Sequence, residues 1–507
     1  MPGPNAPSLK RRLRDVAERL RLPIPTRDDV VTGVSHDAGL VRTGDLYAAL
    51  PGSRTHGANF AKQAVAAGAV AVLTDAAGSA IADDAGVPLL VVDDPRLELG
   101  PLASWIYGDP SRALRLLGVT GTNGKTTTSY LLDAGLRAAG ETSGLIGTIE
   151  TRIGARVLPS VRTTPEAPEL QALFAEMVES GVGAAAMEVS SHALALHRVD
   201  GTTFDVVAFT NLSQDHLDFH ADLDDYFAAK ARLFAPQFAR TAVVNIDDEH
   251  GRRLVDIAGI PVTTVSTEGR DADWRATDLT LGSDGSHFLA AGPDVAITVE
   301  VRLPGAFNAA NALLALVTLI SAGVAPDAAA AGIAGLAVVP GRMEPVSVGQ
   351  SFVALVDYAH TPDAVVTLLE TLRATSTGRL IVVLGCGGNR DRSKRPLMGA
   401  AAARLADVAV LTSDNPRSEE PAEILAAMLE GAMGVDPAER GRVLVEPDRR
   451  AAIAAAVRHA QPGDVVVVAG KGHEQGQEVG GVIHPFDDRA VLHEQLAERV
   501  GDRDGTP

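Results

Sequence analysis

Residues 118–132, GVTGTNGKTTTSYLL, place glycines, a lysine and a run of threonines between an apolar strand pattern and an amphipathic helix pattern. A strand–loop–helix unit of this kind belongs in a parallel α/β sheet. Glycines let backbone N–H groups converge on phosphate, and the helix N-terminus adds a partial positive charge. Lys125 is then placed to bridge the β- and γ-phosphates of a nucleotide, and the Thr126 hydroxyl to ligate Mg²⁺. The commonest phosphate-loop spacing has Gly where this chain has Val119, with glycines instead at Gly118, Gly121 and Gly124. This is a variant loop, and the competing reading is a plain glycine turn opening a helix.

At 507 residues the chain exceeds one ordinary core, and domains of roughly 100–200 residues predict about three. Apolar residues make up 46% and aromatics only 4%, as in an α/β enzyme packed with small aliphatic side chains. The formal net charge of −19 excludes gathering nucleic acid by an overall field, so anionic substrates must be held by local devices. Cys386 is the only cysteine, which excludes an intrachain disulfide and a Cys-based zinc cage. The basic segment SLKRRLRDVAERL leads into no apolar export core, and the longest apolar stretch, Ala312 to Ala325, is short of the about 20 residues that span a bilayer. A cytoplasmic protein with no membrane insertion is expected.

The alternation of apolar runs and helical stretches predicts three units. Residues 1–112 read as a small α/β domain, with apolar runs at 69–74 and 88–92 and a linker at GDPSRALR (108–115). Residues 113–339 read as the nucleotide-binding domain with a parallel-rich sheet, built on AAAMEVS, VVAFTNL and TAVVNID, with a short β-rich pattern between about 261 and 303. VVPGRMEPV (338–346) marks the next boundary. Residues 340–507 carry ALVDYAH, RLIVVLG, DVAVLTSDN and DVVVVAGKG, four buried-strand patterns of a Rossmann-like sheet.

Glu188 ends the apolar run AAAM, where the C-terminal end of a strand sets a carboxylate beside the phosphate loop; a solvated charge is the alternative. Asp215 and His216 follow a second buried strand, VVAF, and a histidine there is as readily a structural residue as a ligand. Lys230, in DDYFAAKARLF, reads in isolation as a solvated lysine on a helix face.

GVTGTNGKTTT, MEVSSHAL with HRV, TNLSQDHLDFH, YFAAKARLF and GAFNAANALLA occur in this order, and together they resemble the Mur ligases of peptidoglycan synthesis over nearly the whole chain. GCGGNRDRSKRPLM (385–398), SDNPRSEEP (413–421) and AGKGHE (469–474) look like the members that add 2,6-diaminopimelate to UDP-N-acetylmuramoyl-L-alanyl-D-glutamate. The resemblance implies an ATP-dependent, amide-forming ligase with Lys125, Glu188, His216 and Lys230 at its catalytic centre. Gly121, Thr122, Asn123, Gly124, Lys125, Thr126 and Thr127 would cradle ATP, with Asn308 and Asn311 near the adenine and Arg342 and Asp357 reaching the nucleotide from the next domain. Thr126 and Glu188 would hold one Mg²⁺, and Glu188, His216 and Lys230, carbamylated by CO₂, a second.

The UDP-linked substrate would meet Ala38, Ser53, Arg54, Thr55, Arg162, Thr163, Thr164, Ser190 and Arg198. Many relatives carry Asp-Ser-Arg where this chain has Asp37-Ala38-Gly39, and some have Gln where it has Leu196, so a hydroxyl and a guanidinium are missing there. Diaminopimelate would be held by Arg390, Asp414, Asn415, Pro416, Arg417, Gly470 and Glu474. Arg417 has a physical rationale beside the resemblance: diaminopimelate exceeds lysine by one carboxylate, which a guanidinium grips bidentately. The resemblance further implies a monomer acting on small molecules. The related folylpolyglutamate synthetases are disfavoured by the AGKGHE and DNPR segments.

Overall fold

The computed structural model describes residues 9–504; residues 1–8 and 505–507 of the two outer segments lie outside the described residues. Three sheets carry the architecture. The first is a four-stranded, all-parallel sheet in chain order, Gly33–Ser35, Asp45–Ala48, Ala71–Thr74 and Leu89–Val91. Its strands are short and apolar because both faces are covered. Leu99, Leu102 and Ile106 of the helix Pro95–Ile106 pack on one face, and Tyr47 and Val72 join Ala61 and Ala64 on the other.

The second sheet has eleven strands, with Arg115–Thr120 near its middle between Ala184–Glu188 and Phe204–Phe209. Seven strands from Ser143–Ile146 to Trp274–Gly282 run parallel. The short β-rich stretch expected between 261 and 303 resolves into an antiparallel meander, Trp274–Gly282, Gly285–Ala291 and Ala296–Val301, added to the parallel edge. Apolar residues fill both faces of the sheet, each buried Leu, Val or Phe contributing about 1.5–3 kcal/mol. Most of the apolar stretch at 312–325 belongs to the buried helix Ala306–Ser321, which packs on the phosphate-loop helix Lys125–Ala138.

The third sheet orders Glu344–Pro345, Val353–Asp357, Val465–Ala469, Leu380–Cys386, Val408–Ser413 and Arg442–Val445. All pairs are parallel except the first. The four buried-strand patterns read from the sequence are its centre. Arg442–Val445 is a half-exposed edge strand with a shorter apolar run. The segment 338–346 is woven into this sheet, because Glu344 and Pro345 pair with Val356 and Leu355. Among the described residues no helix is long and apolar enough to cross a membrane.

Candidate active site

Strand order in the central sheet reverses at Arg115–Thr120, so the carboxyl ends of three neighbouring strands open onto one crevice. There the chain enters the helix Lys125–Ala138 through Gly124, whose φ of 88° and a Cβ that would lie 2.4 Å from Asn311 Oδ1 require glycine. Lys125 Nζ donates to the carbonyls of Gly121 and Thr122 at 2.9 and 2.8 Å. Burial pushes its pKa down, against the attraction of Glu188 and Asp215.

Glu188 is 1% exposed at the end of its strand. Its Oε2 accepts from the Thr126 and Thr148 hydroxyls, both at 3.0 Å, and Oε1 from the Thr148 N–H at 2.7 Å. Arg342, from beyond the domain boundary, donates through Nη2 to Thr126 Oγ1 at 3.0 Å and lies 4.3 Å from the centre of the Tyr358 ring. Its Nε is buried with no hydrogen-bond partner among the described residues, a donor that an anionic oxygen would satisfy.

Lys230 sits two turns into the helix Leu223–Ala231, which Asp222 caps by accepting from the Asp225 N–H. The solvated reading of this lysine is overturned. It is 1% exposed, donates to Gly121 O at 2.7 Å and lies 4.4 Å from the Tyr226 ring centre. Burial, then the Lys125 charge, holds its pKa well below the ordinary lysine value, although Asp215 opposes them. His216 adopts a left-handed φ of 56°, with Nε2 3.4 Å from Asp215 Oδ2, and meets the His192 ring edge-on at 4.7 Å. Burial pushes the His216 imidazole well below its usual pKa, against the pull of Asp215. Asp215 also faces His360 and Lys394 of the third sheet's segment, at 3.9 and 4.0 Å.

These groups enclose a cavity of about 560 Å³, in the range of ligand sites. Thr122 through Thr127, Glu188, His216, Lys230, Asn308, Asn311, Arg342 and Asp357 all line it. Gly121 lies behind the lining, its carbonyl taken by the two lysines. Asp357 is committed to its own loop, accepting from the Met343 and Ala359 N–H groups at 2.8 and 2.7 Å, and burial raises its pKa. The Thr126 hydroxyl and Glu188 carboxylate are hard oxygen donors of the kind Mg²⁺ takes while keeping waters and phosphate oxygens. Among the described residues no group of three or more His, Cys, Asp or Glu side chains forms a ready-made metal cage.

A second set of loops lies at the carboxyl ends of three adjacent strands, Val465–Ala469, Leu380–Cys386 and Val408–Ser413. Asn415 Nδ2 donates to Glu474 Oε2 at 2.9 Å. Arg417 takes a left-handed φ of 55°, and its Nη1 donates to Gly388 O at 2.7 Å. Its backbone is pinned to a hairpin, Gly476–Val479 with Val482–Pro485, by an N–H bond to Glu478 O of 3.0 Å. Pro416 accepts the Glu419 N–H, closing the turn. Lys471 and Arg449 hold the Asp414 carboxyl below its usual range despite burial. Arg390 reaches from these loops to the central segment, its Nη1 3.6 Å from Asp218 Oδ2.

Known proteins share this plan. Family models match in three consecutive parts: "Mur ligase family, catalytic domain" at residues 30–106, "Mur ligase middle domain" at 119–319 and "Mur ligase, glutamate ligase domain" at 341–472. The UDP-N-acetylmuramoyl-L-alanyl-D-glutamate–2,6-diaminopimelate ligase of Streptomyces avermitilis is 57% identical over 504 residues, covering 99% of each chain. The chain belongs to the Mur ligase family. The Corynebacterium glutamicum ligase of the same name is 52% identical over 486 residues, 94% of each chain. A solved structure of a ligase so named is 33% identical with a TM-score of 0.66, covering 97% of this chain and 100% of that one. MurF from Acinetobacter baumannii, at 18% identity and a TM-score of 0.65 over 97% of this chain and 99% of its own, shares the fold.

In this Mur ligase the residues expected to meet the UDP-linked substrate divide into two groups. Thr163 and Thr148 hydroxyls lie 3.0 Å apart, and Thr164 Oγ1 donates to Glu188 O at 2.8 Å and accepts the Ser190 N–H at 3.1 Å. Arg198 reaches Thr164 O at 3.3 Å and Glu166 at 2.8 Å. Arg96, on the first segment's helix, joins the same Glu166 at 3.4 Å and the Leu196 carbonyl at 3.2 Å. Arg162, Ser53, Arg54 and Thr55 are exposed, and Ala38 is buried with Val41 and Tyr47, so its side chain offers no polar group. The reading of the sequence passed over Glu166, Arg96, Arg449 and Lys471. Lys471 stands in the quoted AGKGHE segment, but a lone lysine between glycines looks like a surface residue.

Proposed function

We propose that this Mur ligase joins meso-2,6-diaminopimelate to UDP-N-acetylmuramoyl-L-alanyl-D-glutamate in the cytoplasm, as a monomer, converting ATP to ADP and phosphate. The observation that carries the reading is the presence of Arg417 and the Asn415–Glu474 contact on the loops that follow three neighbouring strands. A guanidinium for a carboxylate and an acid for an ammonium suit the extra amino-acid end of diaminopimelate. Lysine would leave Arg417 only the Glu478 carboxylate, whose Oε2 lies 3.4 Å from its Nε, and would forgo the bidentate grip on a second carboxylate, a cost a partly buried site imposes on the wrong substrate.

The acceptor's D-glutamyl side-chain carboxylate oxygen attacks the γ-phosphorus, the bond to the β-γ bridging oxygen breaks, and ADP leaves. The amine nitrogen of diaminopimelate then attacks the acyl carbon, phosphate departs, and the nitrogen gives up a proton. Lys125 leaves the Gly121 and Thr122 carbonyls to meet the charge developing on the phosphoryl oxygens, while Arg342 brings its unsatisfied Nε to the same anion. Thr126 and Glu188 would hold one Mg²⁺, and Glu188, His216 and the Lys230 carbamate a second, and the metal would supply Lewis-acid polarisation of the phosphoryl group. Lys230, a buried amine whose pKa burial and the Lys125 charge lower well below the usual lysine value, suits carbamylation: its neutral nitrogen adds to CO₂, loses a proton and becomes an anionic oxygen donor. Thr163, Thr164, Ser190 and Arg198 orient the acceptor, and Arg390, beside Asp218, closes the amino-acid site toward the central domain.

Phosphate release by the purified protein, with ATP, the nucleotide dipeptide and each candidate amino acid, tests the proposal. Turnover is expected with diaminopimelate, and equal rates with L-lysine would defeat the reading of Arg417.

A further inference from the structure

Lys471 has no exposed surface. Its ammonium donates to Asn415 Oδ1 at 3.0 Å and to Glu474 Oε2 at 2.9 Å, and Asn415 Nδ2 donates to that same carboxylate oxygen at 2.9 Å. Three side chains thus form a closed triangle between the loops that follow Val408–Ser413 and Val465–Ala469. The flanking glycines make this possible. Gly470 and Gly472 take φ values of 111° and 54°, and a Cβ on Gly470 would lie 2.7 Å from Asp414 Oδ2. The roots of the two loops are tied as well, because Arg449 donates to the carbonyls of Ser413 and Ala469 at 3.3 and 2.9 Å.

An ammonium taken wholly out of water persists only with close anionic and hydrogen-bonding partners. Here Glu474 and Asn415 supply them, and Asp414 lies close enough to be stabilised by the Lys471 charge. Glu474 spends only Oε2 on the triangle. Oε1 has no hydrogen-bond partner among the described residues, and the side chain is 32% exposed. Asp414, Glu474 and Lys471 together leave one net negative charge, with Arg449 matched by Asp488 and Arg417 by Glu478. One negative charge and one open carboxylate oxygen fit one incoming ammonium.

We propose that Lys471 is a positioning residue that makes this site select an amino acid whose far end carries an ammonium group. It fixes the Glu474 carboxylate so that Oε1 reads the distal amine, while Arg417 reads the neighbouring carboxylate. The inference rests on the diaminopimelate reading above and assigns the amine half of that recognition to a group outside the substrate's reach.

The test compares diaminopimelate with 2-aminopimelate, which keeps both carboxylates and lacks the distal amine, in full-length wild type, Lys471→Met and Lys471→Gln. The wild type is expected to favour diaminopimelate by at least about 100-fold in kcat/KM, since a site built around a charged hydrogen bond rejects the analogue lacking it. Both variants are expected to lose at least about tenfold of that preference, through a higher KM for diaminopimelate, with KM for ATP and for the nucleotide dipeptide unchanged. A lysine that merely braced the fold would weaken both amino acids equally, and an unchanged preference ratio in either folded variant overturns the proposal. So would a wild type that uses the two amino acids equally well, which decides the matter even if neither variant folds. A wild type inactive with diaminopimelate would instead sink the underlying functional reading.

Discussion

Lys125 and Lys230 donate to one acceptor, their Nζ atoms lying 2.9 and 2.7 Å from the carbonyl oxygen of Gly121. Two amines on one carbonyl, one of them buried, repel when both are charged, and the arrangement favours one of them moving onto an anion or losing its proton. Lys125, on the phosphate-loop helix, is the one placed to move. Replacing it with Ala is expected to lower kcat by about 100–1,000-fold, as loss of one preorganised charge-stabilising donor does. Phosphate release at saturating substrates measures it, and undiminished turnover would remove the basis of the phosphoryl-transfer reading.

Lys230 is the one placed to lose its proton, because burial and the Lys125 charge both disfavour its ammonium form. A neutral amine is the form that adds to CO₂. With ¹³C-labelled bicarbonate, a carbamate carbon resonance is expected in the wild type and not in Lys230→Met. Turnover should also fall in CO₂-depleted buffer and return on adding bicarbonate. Activity indifferent to CO₂, with no labelled resonance, would leave Lys230 as a plain buried amine.

What the sequence made legible follows from range. The phosphate loop, Glu188 and the Rossmann-like strands were readable because local pattern decides them: an apolar run ends, and the next residue faces the crevice. The buried state of Lys230 was not readable from its helix, which looks amphipathic; it depends on Gly121, 109 residues away in sequence. The resemblance alone marked that lysine. The hairpin that pins Arg417 was missed for the same reason, since Gly476–Val479 carries little apolar pattern and its bridge from Val479 to Arg417 joins segments far apart in the sequence. Arg449 and Asp488 read as ordinary charges on separate helices until the fold brings them together.

Arg449 and Asp488 are wholly buried, with Nη2 2.6 Å from Oδ2 and Nε 2.7 Å from Oδ1. Removing one partner strands the other charge, so Arg449→Met is expected to destabilise the third segment by about 3–5 kcal/mol. Replacing both, as Arg449→Met with Asp488→Leu, should recover most of that loss, because an apolar pair of similar volume needs no counter-charge. Denaturant unfolding followed in this region reads both effects. The double variant separates stability from function: the Ser413 and Ala469 carbonyls still lack their donor, so KM for diaminopimelate should stay raised after stability returns.

His473 gives the pH dependence a sign. Its ring packs 5.2 Å from that of Tyr358, and burial, reinforced by Arg342 and Arg489, pushes its pKa down to about 3. The unfolded chain holds a histidine near 6.5. The folded state therefore binds fewer protons than the unfolded one between these values, and the group's contribution to stability is present above about pH 6.5 and is lost as pH falls toward 3. Carboxylates titrate in the same interval, so the informative quantity is a difference. Thermal midpoints of the wild type and His473→Gln, measured from pH 7 to pH 4, should converge or cross as the wild type loses stability faster. Parallel curves would mean that the His473 proton is bound equally in both states, and that burial beside two guanidinium groups does not govern it.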